Sequence, residues 1–575
     1  MRIMFAPTIL AAMLGLSACG GGGTTGGVGT TPAPPPAPPP GNTTLTNLQV
    51  SQSFTNDAAR NDVTWDLATN TGISGQAAPS ALTISYDAAA KTYTVVAAGS
   101  RQTFGQGDIT TNDRYETVFR KEGGAVREHL TLVKTPYTSA TATQFVGTGY
   151  WQRNSVSETR QATEFTIFTY GLPTAAAAVP RNGTARFDVA AFGMVSAPGE
   201  EPRSFDGSGA FSVDFAAGVF SSQAYLTETQ LVSRGEASGG GIELVSAGRL
   251  SASAGSFSGN VRYGGWFGEA FGSLSGRFYG PSGQELGASF AGSNSNGMTV
   301  AGAFTGQRND SAPAVNLTLT NMTAEQLFYT RYARNLVGQL NWKNSETFTF
   351  VPPTSDLIGG QFAISDKVLS GDANFTTYRK SFSNSHETQD VTLKLYRPGN
   401  GNQELALTYA SFGHWSANVA FGGGQRPVNQ YFAYGLETPA RLLRGKTGTG
   451  HYQGVVYGSG SDTQGGTPFD VRGSSVFDVD FGAQTIAGSL TMAGTPTTGA
   501  AATDFGTFEF SGRLPAWVAG TELFLTRGGQ TVGALNTYFY GPDGEEIAGP
   551  FYLSIPRDQT GAMTSISGVT AARRQ

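Results

Sequence analysis

Phe278 to Leu286 reads FYGPSGQEL, and Phe539 to Ile547 reads FYGPDGEEI, the same phrase 261 positions later. Locally the phrase is a strand followed by a turn. Phe278-Tyr279 suits a pleated element, Pro281 sits second in the turn, and Gly283 sits fourth, where a left-handed residue is favoured. The second copy exchanges only Ser282 for Asp543 within the turn and keeps its chemistry. Alternating apolar residues resume behind it, at Leu286, Ala288 and Phe290 and again at Ile547, Gly549 and Phe551. FYGP therefore reads as the turn of a late hairpin, written twice.

Searching outward from the phrase enlarges the repeat. LTNLQVSQSFTNDAARN at Leu45 aligns without gaps to LTNMTAEQLFYTRYARN at Leu319, with eight identities in seventeen positions. FVGTGYW ending at Trp151 answers YASFGHW ending at Trp415, and FTYGLPT around Tyr170 answers FAYGLET around Tyr434, both at an offset of 264. GAFSVDF at Gly209 answers SVFDVDF at Ser475. The matches keep their order, so the body is a duplication: two homologous lobes, 45–308 and 309–575. A unit this long holds its own core and is not a solenoid repeat. Near residues 160 and 425 each lobe changes from charged, irregular sequence to a series of short strands rich in Gly, Ser and Phe. Glycine supplies 79 of 575 residues, about twice the usual ~7%. With no period of three, that pattern means an all-β chain of antiparallel strands and tight turns.

The N-terminus carries a different message. Residues 1–18 have a basic Arg2, an apolar run and small residues at the end, the pattern of a secretory signal peptide. Leu16-Ser17-Ala18-Cys19 matches the bacterial lipobox, and Cys19 is the single cysteine of the chain. It cannot form an intramolecular disulfide, so the expectation is a lipidated N-terminal cysteine. Residues 19–44 then form a Gly/Pro-rich linker, a flexible coil followed by an extended spacer. Charged residues make up 14% of the chain with a net charge of −5 and no Lys/Arg run, which argues against nucleic-acid binding.

Reactive groups are sparse. His129, His386, His414 and His451 are scattered without metal-ligand spacing, and no catalytic elbow, P-loop or dinucleotide fingerprint is present. Adjacent acids such as Glu200-Glu201 and Glu545-Glu546 read as solvated surface, and Trp151 and Trp415 as core. The expectation is neither an enzyme nor a metal- or cofactor-binding protein.

A lipobox, a Gly/Pro linker, two lobes, a (Y/F)xxxGxW segment at Phe145–Trp151 and Tyr409–Trp415, and FYGPxGxE at Phe278–Glu285 and Phe539–Glu546 together resemble the transferrin-binding protein B family. The match spans nearly the whole mature chain, twice over. The resemblance implies lobes built from a small β handle domain and an antiparallel eight-stranded β-barrel. Laid on this chain, that gives an N-lobe handle at 45–160, its barrel at 161–308, a C-lobe handle at 309–424 and its barrel at 425–575. It further implies an outer-membrane, surface-exposed lipoprotein that binds a protein or an iron- or haem-bearing ligand and presents it to a TonB-dependent receptor. The family's ligand contacts lie in variable loops, so no ligand-binding residue carries over. The alternative is a structural or adhesive envelope lipoprotein on the same scaffold.

Overall fold

The computed structural model describes residues 41–124, 126–421, 423–462, 468–515, 520–556 and 563–575. The signal peptide at 1–18, Cys19 and most of the 19–44 linker lie outside the described residues.

Four sheets follow one another along the chain, in the order handle, barrel, handle, barrel. Each barrel closes from eight antiparallel strands. In the N-lobe the first, Thr184–Ser196, pairs with the last, Thr299–Arg308; in the C-lobe Thr449–Asp462 pairs with Met563–Arg574. Closure leaves no free edge on which another chain could pair. Strand alternation fills both interiors. Phe211, fully buried in the N-barrel, has ring centres of Phe220 and Phe257 at 4.8 and 5.1 Å. Phe477, Phe508, Phe510 and Phe551 occupy the C-barrel core. Outside, the strand Pro468–Asp480 presents Asp470 and Arg472 between the buried Phe469 and Val471. A wall of that composition faces water rather than lipid. No helix among the described residues is long and apolar enough to cross a membrane.

The handles share one topology. The N-handle's first strand, Gln52–Asp66, lies at mid-sheet between Leu82–Asp87 and the last strand, Arg160–Gly171. The C-handle repeats this with Gln326–Tyr332 between Val337–Trp342 and Gly424–Gly435. The N-handle adds one strand, Thr71–Ser80, which has no counterpart in the C-handle among the described residues. The handles run further than the bounds expected at 160 and 424. Arg160–Gly171 and Gly424–Gly435 pair inside the handle sheets, and the barrels begin only at Thr184 and Thr449. Both strands are rich in aromatic and β-branched residues like the barrel strands, and that similarity hides the boundary.

The repeated phrases meet in space. The Glu285 carboxylate of the first FYGPSGQE accepts hydrogen bonds from the backbone N–H groups of Gln144, Phe145 and Val146 at 2.7, 2.7 and 3.0 Å. Glu546 takes the same three bonds from Thr408, Tyr409 and Ala410, at 2.6, 2.9 and 2.7 Å. The Thr174 hydroxyl donates to Gly280 O and that of Thr438 to Gly541 O, each at 2.6 Å. Gly171 lets the backbone of Phe145 approach, since a Cβ there would stand 2.0 Å from its carbonyl oxygen. Gly280 and Gly541 hold φ of 84° and 89°, a region open to glycine. The three phrases are one weld of handle to barrel, made once per lobe. Glu285 and Glu546 are 4% and 1% exposed, so Glu546 does not belong to a solvated pair. Its partners are main-chain donors of another domain.

The lobes also pack on each other. Buried Asp214 of the N-barrel accepts from Thr318 Oγ1 and Asn321 Nδ2, where the C-lobe begins, at 2.9 and 3.0 Å. A single helical turn, Ala440–Leu443, joins the C-handle to its barrel and seats Leu442 on Val245 and Ala247. Around it Arg441 pairs with Glu243, and Arg444 with Glu269 at 2.8 Å.

Candidate ligand-binding rim

Alternate connections of the N-barrel gather at the end opposite the FYGP turn. They are the loops 197–202, 231–235, 266–267 and 294–298. Between Ser256–Gly265 and Gly268–Tyr279 the hairpin tip carries Trp266, which is 64% exposed. The setting of this exposed indole is rigid. Glu228, fully buried, accepts from the backbone N–H of Trp266 at 3.0 Å and from the Tyr263 hydroxyl at 2.7 Å. Arg203 lies 3.7 Å from the same carboxylate, with its guanidinium 5.4 Å from the Trp266 ring centre. The buried Arg203–Glu228–Tyr263 group thus fixes the hairpin from below. The next loop is tied in the same way. Glu201 accepts from Val232 and Ser233 N–H at 2.6 and 2.8 Å and leaves Val232 half exposed. Burial opposes ionisation of Glu201, but the N–H groups of Ser233 and Val232 hold its carboxyl below the usual range. The result is two exposed apolar tips, Trp266 and Val232, on loops that buried polar contacts hold in place. In the C-barrel the connection at the corresponding place is Arg527-Gly528-Gly529, so the indole belongs to one lobe alone.

The sequence-singled residues fall elsewhere. Trp151 and Trp415 are core residues of the two handles. The four histidines lie on separate elements, and among the described residues no three His, Cys, Asp or Glu side chains gather as metal ligands. Glu200-Glu201 belong to the rim loop, where Glu201 has a defined task. Sequence reasoning misses Trp266, Arg203 and Glu228, since nothing in their spacing marks them. The one available signal is that Trp266 breaks the repeat.

His414 stacks on Tyr431 with ring centres 4.4 Å apart and lies 2.8 Å from Asn429 Oδ1 through Nε2. Burial lowers its pKa from 6.5 to about 4, with Lys394 adding to the shift and Asn429 opposing it. The unfolded chain takes up this proton near pH 6.5 while the folded chain refuses it until about pH 4, so stability falls as pH drops between those values. Because the ring keeps an edge in solvent, the loss is about 1–2 kcal/mol. His414→Tyr, which installs the residue found at Tyr150 in the first lobe, removes that acid-side loss. Thermal unfolding of both forms between pH 7 and 4.5 checks it; parallel pH curves contradict it.

Residues 445–574 match the family model described as C-lobe and N-lobe beta barrels of Tf-binding protein B. No curated protein matches the chain. Among solved structures, the chain is similar to transferrin-binding protein B of Haemophilus parasuis Hp5, at 16% identity over 77% of this chain and 85% of that one, TM-score 0.25. It is similar to the protein of serogroup B Neisseria meningitidis at 17% identity, over 77% and 87% of the two chains, TM-score 0.25. It is also similar to an intact two-lobed Ap-TbpB at 13% identity, over 90% and 95%, TM-score 0.26.

Proposed function

We propose that this chain, whose C-terminal barrel belongs to the transferrin-binding protein B barrel family, is a tethered capture protein of the outer membrane. Lipid on Cys19 anchors it at the cell surface, and the 19–44 linker holds the lobes away from the bilayer. The N-barrel rim grips a protein or an iron- or haem-bearing ligand. A TonB-dependent transporter receives that ligand, and tethering raises the local concentration of one beside the other. The work is binding and hand-over, with no catalytic step. The observation that carries this reading is Trp266, an exposed indole set on a buried ion pair at the end of a closed barrel.

Cross-linked capture from whole cells tests it. The wild-type chain is expected to recover both a cargo and a TonB-dependent receptor. Trp266→Ala is expected to lose about 30-fold or more in cargo affinity, the range of an aromatic anchor, while keeping the receptor. Equal cargo recovery by both chains removes the rim from the reading, and repeated capture without a receptor removes delivery.

A further inference from the structure

A second site lies in the N-handle, away from the rim. Tyr86 and Tyr93 face each other across the ladder of strands Leu82–Asp87 and Thr92–Ala97, with ring centres 5.0 Å apart. Tyr93 also packs against Phe119 at 6.0 Å. These rings, Tyr170, Leu132 and Gly147 line a hollow of about 540 Å³, a size that suits a small molecule. Tyr170 is only 6% exposed. None of the three phenol oxygens has a hydrogen-bond partner in the protein among the described residues. None of the three is among the buried polar atoms left without a partner, so each oxygen reaches open space at the hollow and is free to donate to what enters it. Burial, with Tyr86 beside Tyr93 and Tyr93 beside Tyr170, raises the pKa of both Tyr93 and Tyr170, which keeps their protons in place as donors.

The second lobe is an internal control. The cross-strand series Tyr86, Tyr93, Phe104 is matched in the C-handle by Trp342, Phe348, Phe362, so two of the three hydroxyls are absent there. The third ring is kept, but Tyr434 stands opposite Ser411 in its ladder, where Tyr170 stands opposite Gly147. A Cβ on Gly147 would stand 2.9 Å from the Tyr170 ring. The N-handle thus carries two hydroxyls that the C-handle lacks and has no side chain facing a third. At the mouth stand Lys91, Arg114 and Lys134 against Asp113, a basic surplus that suits an anionic group.

We propose that the N-handle hollow binds a small oxygenated aromatic carboxylate. Its ring lies among Tyr86, Tyr93 and Phe119, its ring oxygens accept from the three phenols, and its carboxylate meets Lys91 and Arg114. Equilibrium dialysis of the whole chain with 2,3-dihydroxybenzoate tests this, with cyclohexanecarboxylate as the comparison. Saturable one-site binding of the aromatic acid is expected, about tenfold tighter than the alicyclic one or more. The double variant Tyr86→Phe, Tyr93→Phe keeps the volume and removes two donors. It is expected to weaken binding about tenfold or more without lowering the thermal midpoint, because no protein partner is lost. Gly147→Ser, which installs the residue found at Ser411 and crowds the Tyr170 ring, is expected to weaken it as well. Trp266→Ala is expected to leave it unchanged, which separates this site from the rim. Absence of saturable binding, equal binding of cyclohexanecarboxylate, or undiminished binding by the folded double variant overturns the proposal.

Discussion

Glu546→Ala is expected to cost the C-lobe about 3–5 kcal/mol and to leave the N-lobe intact. The wild-type carboxylate satisfies three consecutive backbone N–H groups at the start of the strand Ala410–Phe421. Alanine leaves all three inside a domain boundary with no acceptor. Stranding a buried donor costs about 1–3 kcal/mol, and partial relaxation keeps three of them below their sum. Glu285→Ala is expected to do the same to the N-lobe alone, because Gln144, Phe145 and Val146 depend on it in the same way. Glutamine keeps one acceptor oxygen, so Glu546→Gln should fall between wild type and alanine. Calorimetry combined with limited proteolysis reads the lobes separately. A loss under about 1 kcal/mol for Glu546→Ala, against the ~1–3 kcal/mol expected per stranded donor, would mean that the weld does not hold the handle.

The second large effect is expected at Gly549. A Cβ built there stands 1.6 Å from the Asn536 carbonyl oxygen, far inside van der Waals contact with backbone that cannot move alone. The ladder between Gln530–Tyr540 and Glu546–Pro556 breaks here, between Leu535↔Phe551 and Tyr538↔Ala548. Pro550 brings no donor to repair it. Gly549→Val therefore has to push two barrel strands apart, and the C-barrel is expected to lose about 3 kcal/mol or more and to become protease-sensitive. Gly371→Ala is the control, since nothing lies within 4 Å of a Cβ at that position. A folded Gly549→Val barrel of wild-type stability would contradict the close approach.

The scaffold is more legible in the sequence than the site is. The duplicated phrases, the glycine density and the alternating apolar residues point to two homologous all-β lobes because each is a local signal, and the closed barrels follow from the resemblance that the phrases carry. Glu285 and Glu546 stand in plain view inside the repeated phrase, but their task is hidden. A carboxylate that caps main-chain donors 136–141 residues away leaves no spacing to read. The handle boundaries slip by one strand because Arg160–Gly171 has the composition of the barrel beside it. Trp266 and the tyrosine hollow are harder still. Each depends on a departure between lobes, Trp266 against Gly528-Gly529 and Gly147 against Ser411, and such departures mean little until topology says which positions correspond.

The weld between handle and barrel concentrates the requirements of folding in a few short phrases. Much of the remaining sequence, the rim loops above all, has drifted between the two copies. A lineage carrying such a molecule can rewrite one rim or one hollow while the sister copy goes on supporting the frame. New cargo then calls for new loop tips and not for a new architecture.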